Sequence, residues 1–493
     1  MAADLQRELA TSSQEGVGTA ALSHGVLPAS VLLRAERPAW LARWSDFAAG
    51  LTFADLPGET VCRAKLVLLD TIGAVAAGMQ EPELRALLAR LPGQGAGAPA
   101  IGSGRLWPDA TAALLNGIAG TTLELDEGNQ YARGHPGIHV VPAALAATAR
   151  RDRTGADLIL ALTLGYEIGA RIGIASKLRV AMHPHGTWGT VGAALAVACL
   201  DRASPALLAE TVSIASSLGL ATSRRTMLEG ATVRNAYAGI SNQLGLLAFH
   251  LAAAGFGGEA DGIGSVFGGI VAEDFRPDLM TDALGERWEI ARNYFKRHAA
   301  CRYTHGALDA LATLAAEAGG RIDPDAVESV AVDTYVWAAQ LDGDEPRTML
   351  AAKFSLPFAL ATALVHGEAS VTAFRDEARS DARVRALARR VVVREDPAFT
   401  AALPDQRPAR VRLKLADGRV LAAEVRTNRG DTEDPYGPDE VRDKFRELAE
   451  PVWGSAHADR LIAAVDGLDA APDLAPLSAL LAAAPRAAMG SAA

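Results

Sequence analysis

The chain has 493 residues, and its 48 Lys and Arg against 58 Asp and Glu give a formal net charge of −10. Hydrophobic residues make up 49% and charged residues 22%, which excludes a chain that is disordered throughout. The acidic balance argues against a nucleic-acid partner, because a polyphosphate needs a basic protein surface.

Cysteine usage and apolar patterning indicate a cytoplasmic protein without a membrane segment. The three cysteines lie far apart and are odd in number, so they predict no disulfide framework and favour a reducing compartment. Residues 1–15 carry several charges and no apolar core, unlike a signal peptide. The richest apolar stretch, 158–174, is interrupted by Glu167 and Arg171 and is a poor membrane span.

The chain begins with a flexible arm and continues with consecutive helices. Residues 1–40 lack sustained periodicity, and from 41 to 290 we predict a helical main domain. Val61, Leu68 and Ile72 form part of one helical stripe that faces a core. Small residues crowd several helices, which favours close packing of their backbones. Further helices are predicted at 109–120, 154–175, 187–200, 205–219 and 236–254.

Strand patterns appear after about residue 290 and predict a second, α+β domain over residues 291–430. Residues 327–335, 391–393 and 411–425 alternate between apolar and polar, and the last stretch has a hairpin signal at Asp417-Gly418. Helices are expected among them at 304–318 and 351–365. Residues 431–493 become helical again, at 438–449 and 457–466, and we expect them to pack on the main domain. The predicted fold class is mainly α, with a large all-helical domain and a smaller α+β domain.

One group of carboxylates and a histidine could carry acid/base chemistry, and a second group has two histidines. Glu124 and Asp126 precede a glycine-containing turn that ends in His135, and such a loop could present an acid/base pair. A solvated acidic loop is the alternative. His183 and His185 form an HxH pair that could bind a metal, but no strand pattern precedes it and no carboxylate lies nearby.

A third group combines cationic residues, histidines and a thiol between residues 296 and 305. His298, Cys301 and His305 would share one face of a continuous helix, which could be a zinc site. Lys296 and Arg302 favour instead a cationic wall for an acidic substrate. A basic surface patch is the third interpretation.

Arg234 stands near the start of a predicted helix, where its guanidinium could clamp a carboxylate through two hydrogen bonds. A solvent-facing helix start is the alternative interpretation. The sequence contains no P-loop, GxSxG or HExxH motif, which disfavours nucleotide-dependent and serine-hydrolase chemistry.

Taken in order, these groups resemble the MmgE/PrpD family, which includes 2-methylcitrate dehydratases, cis-aconitate decarboxylases and iminodisuccinate epimerases. The resemblance extends from about Trp44 to Phe445, most of the chain. It rests on motifs that follow one another in the family's order: LELDEG (123–128), HPGIHVVPAALA (135–146), GYEIGARI (165–172), HPHGTWGTVGAALA (183–196), VRNAYAG (233–239), AAAGFGG (252–258), FKRHAACRYTHGALDA (295–310) and AKFSLPFALA (352–361).

The resemblance implies a helical domain joined to an α+β lid, usually in a homodimer, with a small di- or tricarboxylic acid bound in the cleft between them. It implies no organic cofactor and no metal. The residues expected to act in catalysis are Glu124, Asp126, His135, His183 and Lys296. Those expected to bind substrate are Arg234, His185, Arg302 and His305, the last of which matches a family histidine beside the site.

The chain departs from the family pattern at several of these positions. The family commonly has Asp at 124 and Thr at 128 and 185, where this chain has Glu124, Gly128 and His185, and one extra residue separates Asp126 from the next histidine. Arg234 replaces a lysine. The positive charge is kept, but an arginine does not release its proton near neutral pH, so it cannot serve as a proton donor.

The leading hypothesis is a cofactor-independent lyase, a hydro-lyase before a decarboxylase, that starts at a carbon next to a carboxylate. Arg234 and Lys296 would clamp carboxylates and stabilise developing charge, and His183 and His135 would form the acid/base pair. Asp126, or the carboxylate at 124, would orient a histidine or act as base. The alternative is an epimerase or isomerase of an amino- or hydroxy-diacid. A zinc hydrolase and a non-catalytic binding protein rank below both.

Overall fold

The computed structural model describes residues 36–92, 95–149 and 152–486, and helices account for more than half of its described residues up to residue 290. The predicted N-terminal arm lies almost entirely outside the described residues. The five longer helices predicted in this part are confirmed to within three residues at each end. The helices of this part are α1 Ala39–Gly50, α2 Gly58–Gly78, α3 Pro82–Arg90, α4 Asp109–Thr122, α5 Pro136–Thr148, α6 Gly155–Ala175, α7 Gly189–Leu200, α8 Pro205–Ser217, α9 Arg225–Glu229, α10 Ala236–Ala253 and α11 Gly262–Ser265.

Small residues allow the helix backbones of this part to touch. A Cβ atom added to Gly192 would lie 2.8 Å from the carbonyl oxygen of Gly165, and one added to Gly117 would lie 2.6 Å from the Cα of Gly239. Such distances leave no room for a side chain, so α6 and α7, like α4 and α10, meet through glycine. The predicted role of these residues in packing is confirmed.

Helix α6 is long and apolar enough to cross a membrane, but 89% of its most apolar window is buried inside the protein. Its two buried charged residues form an internal ion pair, with Arg171 Nε 2.8 Å from Glu167 Oε1. Arg171 also donates to the carbonyl oxygen of Asp282 at 2.6 Å. These contacts satisfy both charges inside the core, as buried ionic groups require, so α6 is a core helix.

The prediction that this part is all-helical is wrong, because three short two-stranded ladders join its loops. Strand β1 (Ala98–Ala100) pairs with β2 (Arg105–Trp107), β3 (Gly128–Asn129) with β6 (Asn293–Tyr294), and β4 (Ser176–Leu178) with β5 (Ala272–Phe275). Strands of two to four residues are too short to produce an alternating pattern, which is why the sequence does not reveal them.

A four-stranded sheet with its own hydrophobic core follows. Its strands are ordered β10-β9-β7-β8, with β7 and β8 parallel and the other pairs antiparallel. The predicted hairpin is confirmed, with Gly418 at a φ of 88° in its turn. Predicted helix 351–365 is divided in two, because Ser355 caps a new helix by accepting the N–H of Phe358 at 2.9 Å. The elements here are α12 Arg302–Glu317, β7 Val327–Thr334, α13 Val336–Ala339, α14 Met349–Lys353, α15 Leu356–His366, α16 Asp376–Ser380, α17 Ala382–Ala388, β8 Val391–Glu395, α18 Pro397–Ala401, β9 Ala409–Leu415 and β10 Val420–Val425.

The C-terminal helices belong to the core of the first part. They are α19 Pro438–Trp453, α20 Ser455–Asp466 and α21 Ala475–Leu481. Phe445 of α19 lies against Gly73 of α2, where its Cδ2 would be 3.0 Å from an added Cβ. The fold is thus mainly α, as predicted, with two hydrophobic cores in one compact unit from Pro38 onward. The predicted domain limits and the role of the α+β part as a lid stay predictions.

Candidate active site

The loop that follows α4 carries the first two predicted site residues into the interior. Glu124 has a φ of 57°, a left-handed conformation that costs a residue with a Cβ about 1 kcal/mol. Its carboxylate is 1% exposed and forms an ion pair with Arg234 Nη1. Lys296 Nζ donates to the carbonyl oxygen of Glu124 at 3.1 Å. These two cations hold the unusual backbone conformation.

Lys296 also binds the second carboxylate of the loop. Its Nζ lies 3.4 Å from Asp126 Oδ1 and 3.7 Å from Glu124 Oε2, and all three side chains are buried. The β3–β6 ladder, in which Gly128 pairs with Tyr294, places the segment of Lys296 beside this loop. The structure therefore brings Glu124, Asp126 and Lys296 together, although 170 residues separate the last two.

His135 precedes α5 and faces Asp126, whose Oδ2 lies 3.1 Å from its Nδ1. The same Nδ1 lies 2.7 Å from the carbonyl oxygen of Glu127, which can only accept a hydrogen bond. Nδ1 therefore carries the proton, and Nε2 of the neutral ring keeps its lone pair. Burial and, next, the charge of Lys296 hold the pKa of His135 well below its usual value. The ring is thus neutral near pH 7 and able to accept a proton at Nε2.

His183 lies in the same cationic surroundings. Its Nδ1 accepts the backbone N–H of His185 at 3.1 Å, and its Nε2 faces the Nε–H of Arg234, which can only donate. Arg234 lies against both histidines, with Nε 3.5 Å from His183 Nε2 and Nη2 3.4 Å from His185 Nε2. Burial and then Arg234 lower the pKa of both rings well below the usual value. His183, like His135, is therefore neutral near pH 7.

These groups line a cavity of about 50 Å³ between the helical part and the α+β part. Five arginines and a single carboxylate, that of Glu124, are in its wall, so its charge is opposite to that of the whole chain. Such a wall attracts small anions. The lining residues are Glu124, Arg133, Gly134, His135, His183, Pro184, His185, Arg224, Met227, Arg234, Tyr294, Cys301, Arg302, Tyr303, Phe354 and Arg407.

The last two predicted residues differ in their access to this cavity. Arg302 lines it, but its Nη2 donates to Asp431 Oδ1 at 2.6 Å and its Nη1 to His305 Nδ1 at 3.0 Å. His305 is outside the cavity lining. Its Nε2 lies 3.2 Å from the carbonyl oxygen of Ala300, and because that oxygen can only accept, Nε2 donates the hydrogen bond. Both nitrogens of His305 are therefore used, and this residue positions Arg302 rather than facing the cavity.

Several buried groups near the cavity carry no signal that singles them out in the sequence. Glu127 accepts from the Gly137 N–H at 2.6 Å and from the Tyr166 hydroxyl at 3.0 Å, and burial raises its pKa to about 8. Lys353 donates to the carbonyl oxygen of Thr122 at 3.2 Å, and burial lowers its pKa to about 7. These groups support the loop of residues 123–128 from behind.

Tyr294 explains one departure from the family pattern. A Cβ atom at Gly128 would lie 2.3 Å from the Tyr294 hydroxyl oxygen, so no side chain fits at position 128 beside this ring. The Tyr294 phenol lines the cavity where a residue at 128 would otherwise reach. The sequence shows the glycine but not its partner, because the contact spans 166 residues and leaves no local pattern.

Asp126, His135 and His185 form a group whose possible ligand atoms lie within 4.8 Å of one another. Three protein ligands are the number that a catalytic zinc site uses. Within residues 36–92, 95–149 and 152–486, Asp126 Oδ2 and His185 Nδ1 have no hydrogen-bond partner. Lys296 and Arg234, however, already contact this group, and a dication would be placed beside two fixed positive charges. The donor set therefore suits a metal poorly.

The predicted zinc face of the third group does not form. Helix α12 begins at Arg302, so His298 and Cys301 precede it and do not share a helical face with His305. His298 instead lies 3.5 Å from Asp309 Oδ1. Six of the nine predicted site residues line the cavity, and Asp126, Lys296 and His305 each contact a residue that does.

Comparison with known proteins gives matches along most of the chain. The model of the MmgE/PrpD N-terminal domain matches residues 42–272, and that of the MmgE/PrpD C-terminal domain matches residues 298–470. A cis-aconitate decarboxylase-like protein of Aspergillus oryzae is 26% identical over 481 residues, which cover 89% of this chain and 96% of that protein. The cis-aconitate decarboxylase of Aspergillus terreus is 26% identical over 466 residues, with 88% and 94% covered. That of Homo sapiens is 24% identical over 458 residues, with 88% and 92% covered.

Proposed function

Because the chain belongs to the MmgE/PrpD family, we propose that it is a lyase that removes CO2 or water from a small di- or tricarboxylic acid. The observation that carries this proposal is a buried cationic cavity lined by two neutral histidines, of which His135 keeps a lone pair on Nε2. The relatives named cis-aconitate decarboxylase add weight to loss of CO2.

In decarboxylation, the bond between a carbon and its carboxylate breaks, and the electron pair stays on that carbon. Arg234 and Lys296 stabilise the charge that spreads onto a neighbouring carboxylate. Both cations are already fixed by Glu124, so they need little reorganisation when the charge develops. The carbon then takes up a proton, and His183 is its proposed donor.

In dehydration, the same groups act in a different order. His135 Nε2 removes a proton from the carbon next to a carboxylate, and the electron pair forms the double bond while the β-hydroxyl leaves. The β-hydroxyl takes up a proton and departs as water, with His183 as the proposed donor. Asp126, 3.1 Å from His135 Nδ1, stabilises the imidazolium that forms. The nature of the substrate's β-carbon thus decides between the two reactions.

The test is a panel of cis-aconitate, citrate, 2-methylcitrate, malate and aspartate-type acids, followed by NMR in deuterated water. The proposal expects net loss of CO2 or water from one of them. Exchange of the α-proton without either loss would identify the epimerase alternative, chelator-sensitive activity would favour a zinc enzyme, and inertness toward every acid would favour a binding protein. Each of these results would overturn the proposal.

Matched variants connect that activity to the site. His183→Ala and Lys296→Ala should each lower kcat by at least about 100-fold, the usual size of one acid/base or electrostatic contribution. His250→Ala and Lys177→Ala serve as controls, because both residues are exposed and outside the cavity lining. Wild-type rates in either site variant, or equal losses in the controls, would contradict the assigned roles.

Two further parts of the proposal concern assembly. We infer that the α+β part acts as a lid, because it supplies Cys301, Tyr303 and Phe354 to the cavity wall while His135 and His183 come from the helical part. Hydrogen exchange with and without a bound tricarboxylate should show protection in both parts if the lid closes. The expected homodimer is tested by light scattering on the purified protein.

A further inference from the structure

Arg407, a residue without any motif around it, has a free hydrogen-bond donor at the cavity. The side chain is 3% exposed and lines the cavity wall. Its Nη2 donates to the carbonyl oxygen of Gln130 at 3.1 Å, whereas Nη1 has no hydrogen-bond partner among the described residues. A buried charged donor without an acceptor is costly, which makes a ligand acceptor at this point favourable.

The position of this guanidinium is fixed by aromatic rings. Its Cζ lies 5.6 Å from the ring centre of Tyr294 and 5.9 Å from that of Tyr303, both of which line the same cavity. A guanidinium held between rings and a backbone carbonyl keeps its remaining N–H groups aimed in one direction. Arg407 is therefore preorganised to bind an oxygen acceptor.

Arg224 offers a second set of free donors from the helical part. Its Nε and Nη2 are buried and find no acceptor in the part of the chain that the structure describes. Its backbone N–H donates to the carbonyl oxygen of Ala181 at 2.8 Å, which holds it beside the segment of His183. The cavity thus has guanidinium N–H donors without an acceptor beside His183, from Arg224, and beside Tyr294 and Tyr303, from Arg407.

We propose that Arg224 and Arg407 are the substrate-anchoring residues, each binding one terminal carboxylate of the same acid. The site would then select acids with two carboxylates at opposite ends of a short carbon chain, so that the reacting carbon lies between His135 and His183. A guanidinium binds a carboxylate through two parallel hydrogen bonds, which fits donors that lack partners. This inference rests on the proposed function and adds the substrate class and the residues that determine it.

Non-reacting acids test the proposal by calorimetry and NMR titration. The probes are glutarate, with a carboxylate at each end, and butyrate, which lacks one of them. Arg407→Met and Arg224→Met should each weaken glutarate binding by about 10- to 100-fold, the worth of a charge-assisted pair. Butyrate should stay within about threefold of wild type in each, since the other arginine still binds its single carboxylate. In either variant glutarate should then bind no better than butyrate.

Arg412→Met is the matched control, because Arg412 is on β9, close to Arg407 in sequence, and forms a half-buried ion pair with Asp333 at 2.7 Å outside the cavity lining. It should bind both acids like the wild type. Unchanged glutarate binding in Arg407→Met, or equal weakening of both acids, would overturn the proposal. Where a Met variant does not fold by circular dichroism, the Lys variant replaces it, and wild-type affinity for glutarate in that variant overturns the role of the guanidinium.

The outcomes separate this inference from the proposed function. If no acid is turned over but Arg407→Met loses glutarate binding, the lyase proposal fails and the anchoring role stands. If an acid is turned over and Arg407→Met keeps the wild-type KM, the anchoring role fails and the lyase proposal stands. A loss of kcat at unchanged KM and unchanged glutarate affinity would likewise overturn anchoring, because it would indicate an indirect role.

Discussion

A buried ion pair connects the C-terminal helix α19 to the loop that carries the candidate acid groups. Lys444 Nζ lies 2.6 Å from Asp70 Oδ1 on α2 and donates at 2.6 Å to the carbonyl oxygen of Leu125. Both charged side chains are at most 4% exposed. Since Leu125 stands between the two loop carboxylates, Lys444 contributes to stability and to the shape of the site at once.

Lys444→Met removes this cation and leaves Asp70 buried without a counter-charge. Breaking a buried pair on one side costs about 3–5 kcal/mol, because the remaining charge is neither solvated nor paired. For a chain of 493 residues the entropy of unfolding is about 1 kcal/mol per degree, so the melting temperature should fall by about 3–5 °C. The double variant Asp70→Asn/Lys444→Met should recover most of that loss, since no charge remains.

The loss of stability in Lys444→Met should depend on pH, and the sign of that dependence follows from the pKa of Asp70. Burial already raises the pKa of Asp70, and loss of Lys444 raises it further, so the folded variant binds a proton that the unfolded chain has released. Stability then decreases as the pH rises above the unfolded value of about 3.9, and the deficit of Lys444→Met should be smaller at pH 5 than at pH 7. Thermal unfolding at pH 5 and at pH 7 measures this loss of stability. A deficit below about 1 kcal/mol, or a double variant as unstable as the single one, would refute the reasoning.

Three further measurements test the site. Arg234→Lys keeps a cation beside Glu124 but loses the contacts to both histidines. Its kcat/KM should therefore fall about 10-fold, whereas that of Arg234→Met should fall about 100-fold or more, and equal losses in the two variants would contradict this. Burial and neighbouring cations lower the pKa of His135 and His183, so kcat/KM should stay level as the pH falls from 8 to 6.5; an acid limb with its midpoint at 6.5 or higher would contradict it. Burial lowers the pKa of Lys353 from 10.5 in the unfolded chain to about 7 in the folded protein. Between these two pH values the unfolded chain therefore binds one more proton than the folded protein. The free energy of unfolding of the wild type should thus rise with pH by up to about 1.4 kcal/mol per pH unit. Lys353→Met should lack this rise in urea unfolding, and a rise of the same slope in the variant would refute the assignment.

The parts of the fold that follow from local pattern were predictable from the sequence. Helix α6 was expected at 154–175 and runs over Gly155–Ala175, because its apolar residues repeat at helical spacing and Thr154 caps its first turn. The hairpin of β9 and β10 follows from alternation and an Asp-Gly turn. The β3–β6 ladder could not be found in this way, since its two short strands are more than 160 residues apart and neither has a pattern of its own.

The same distinction applies to the candidate site, where residues within a motif were predictable and a residue outside any motif was not. His135 and His183 are next to prolines and glycines in recognisable motifs, which is why the sequence singles them out. Arg407 has no such signal: the residue it binds, Gln130, is 277 positions earlier in the chain. Net charge also misleads here, since a total of −10 says nothing about a cavity with five arginines in its wall. The composition argues against polyanionic partners and leaves small acids possible.

The departures from the family pattern are coupled to one another in space. Glu124 and Arg234 replace the residues that the family commonly has at those positions, and they form an ion pair with each other. Gly128 and Tyr294 likewise make one contact, in which the ring occupies the space that a side chain at 128 would need. Replacing either residue of the Glu124–Arg234 pair alone would leave the other charge buried and unpaired, at a cost of about 3–5 kcal/mol.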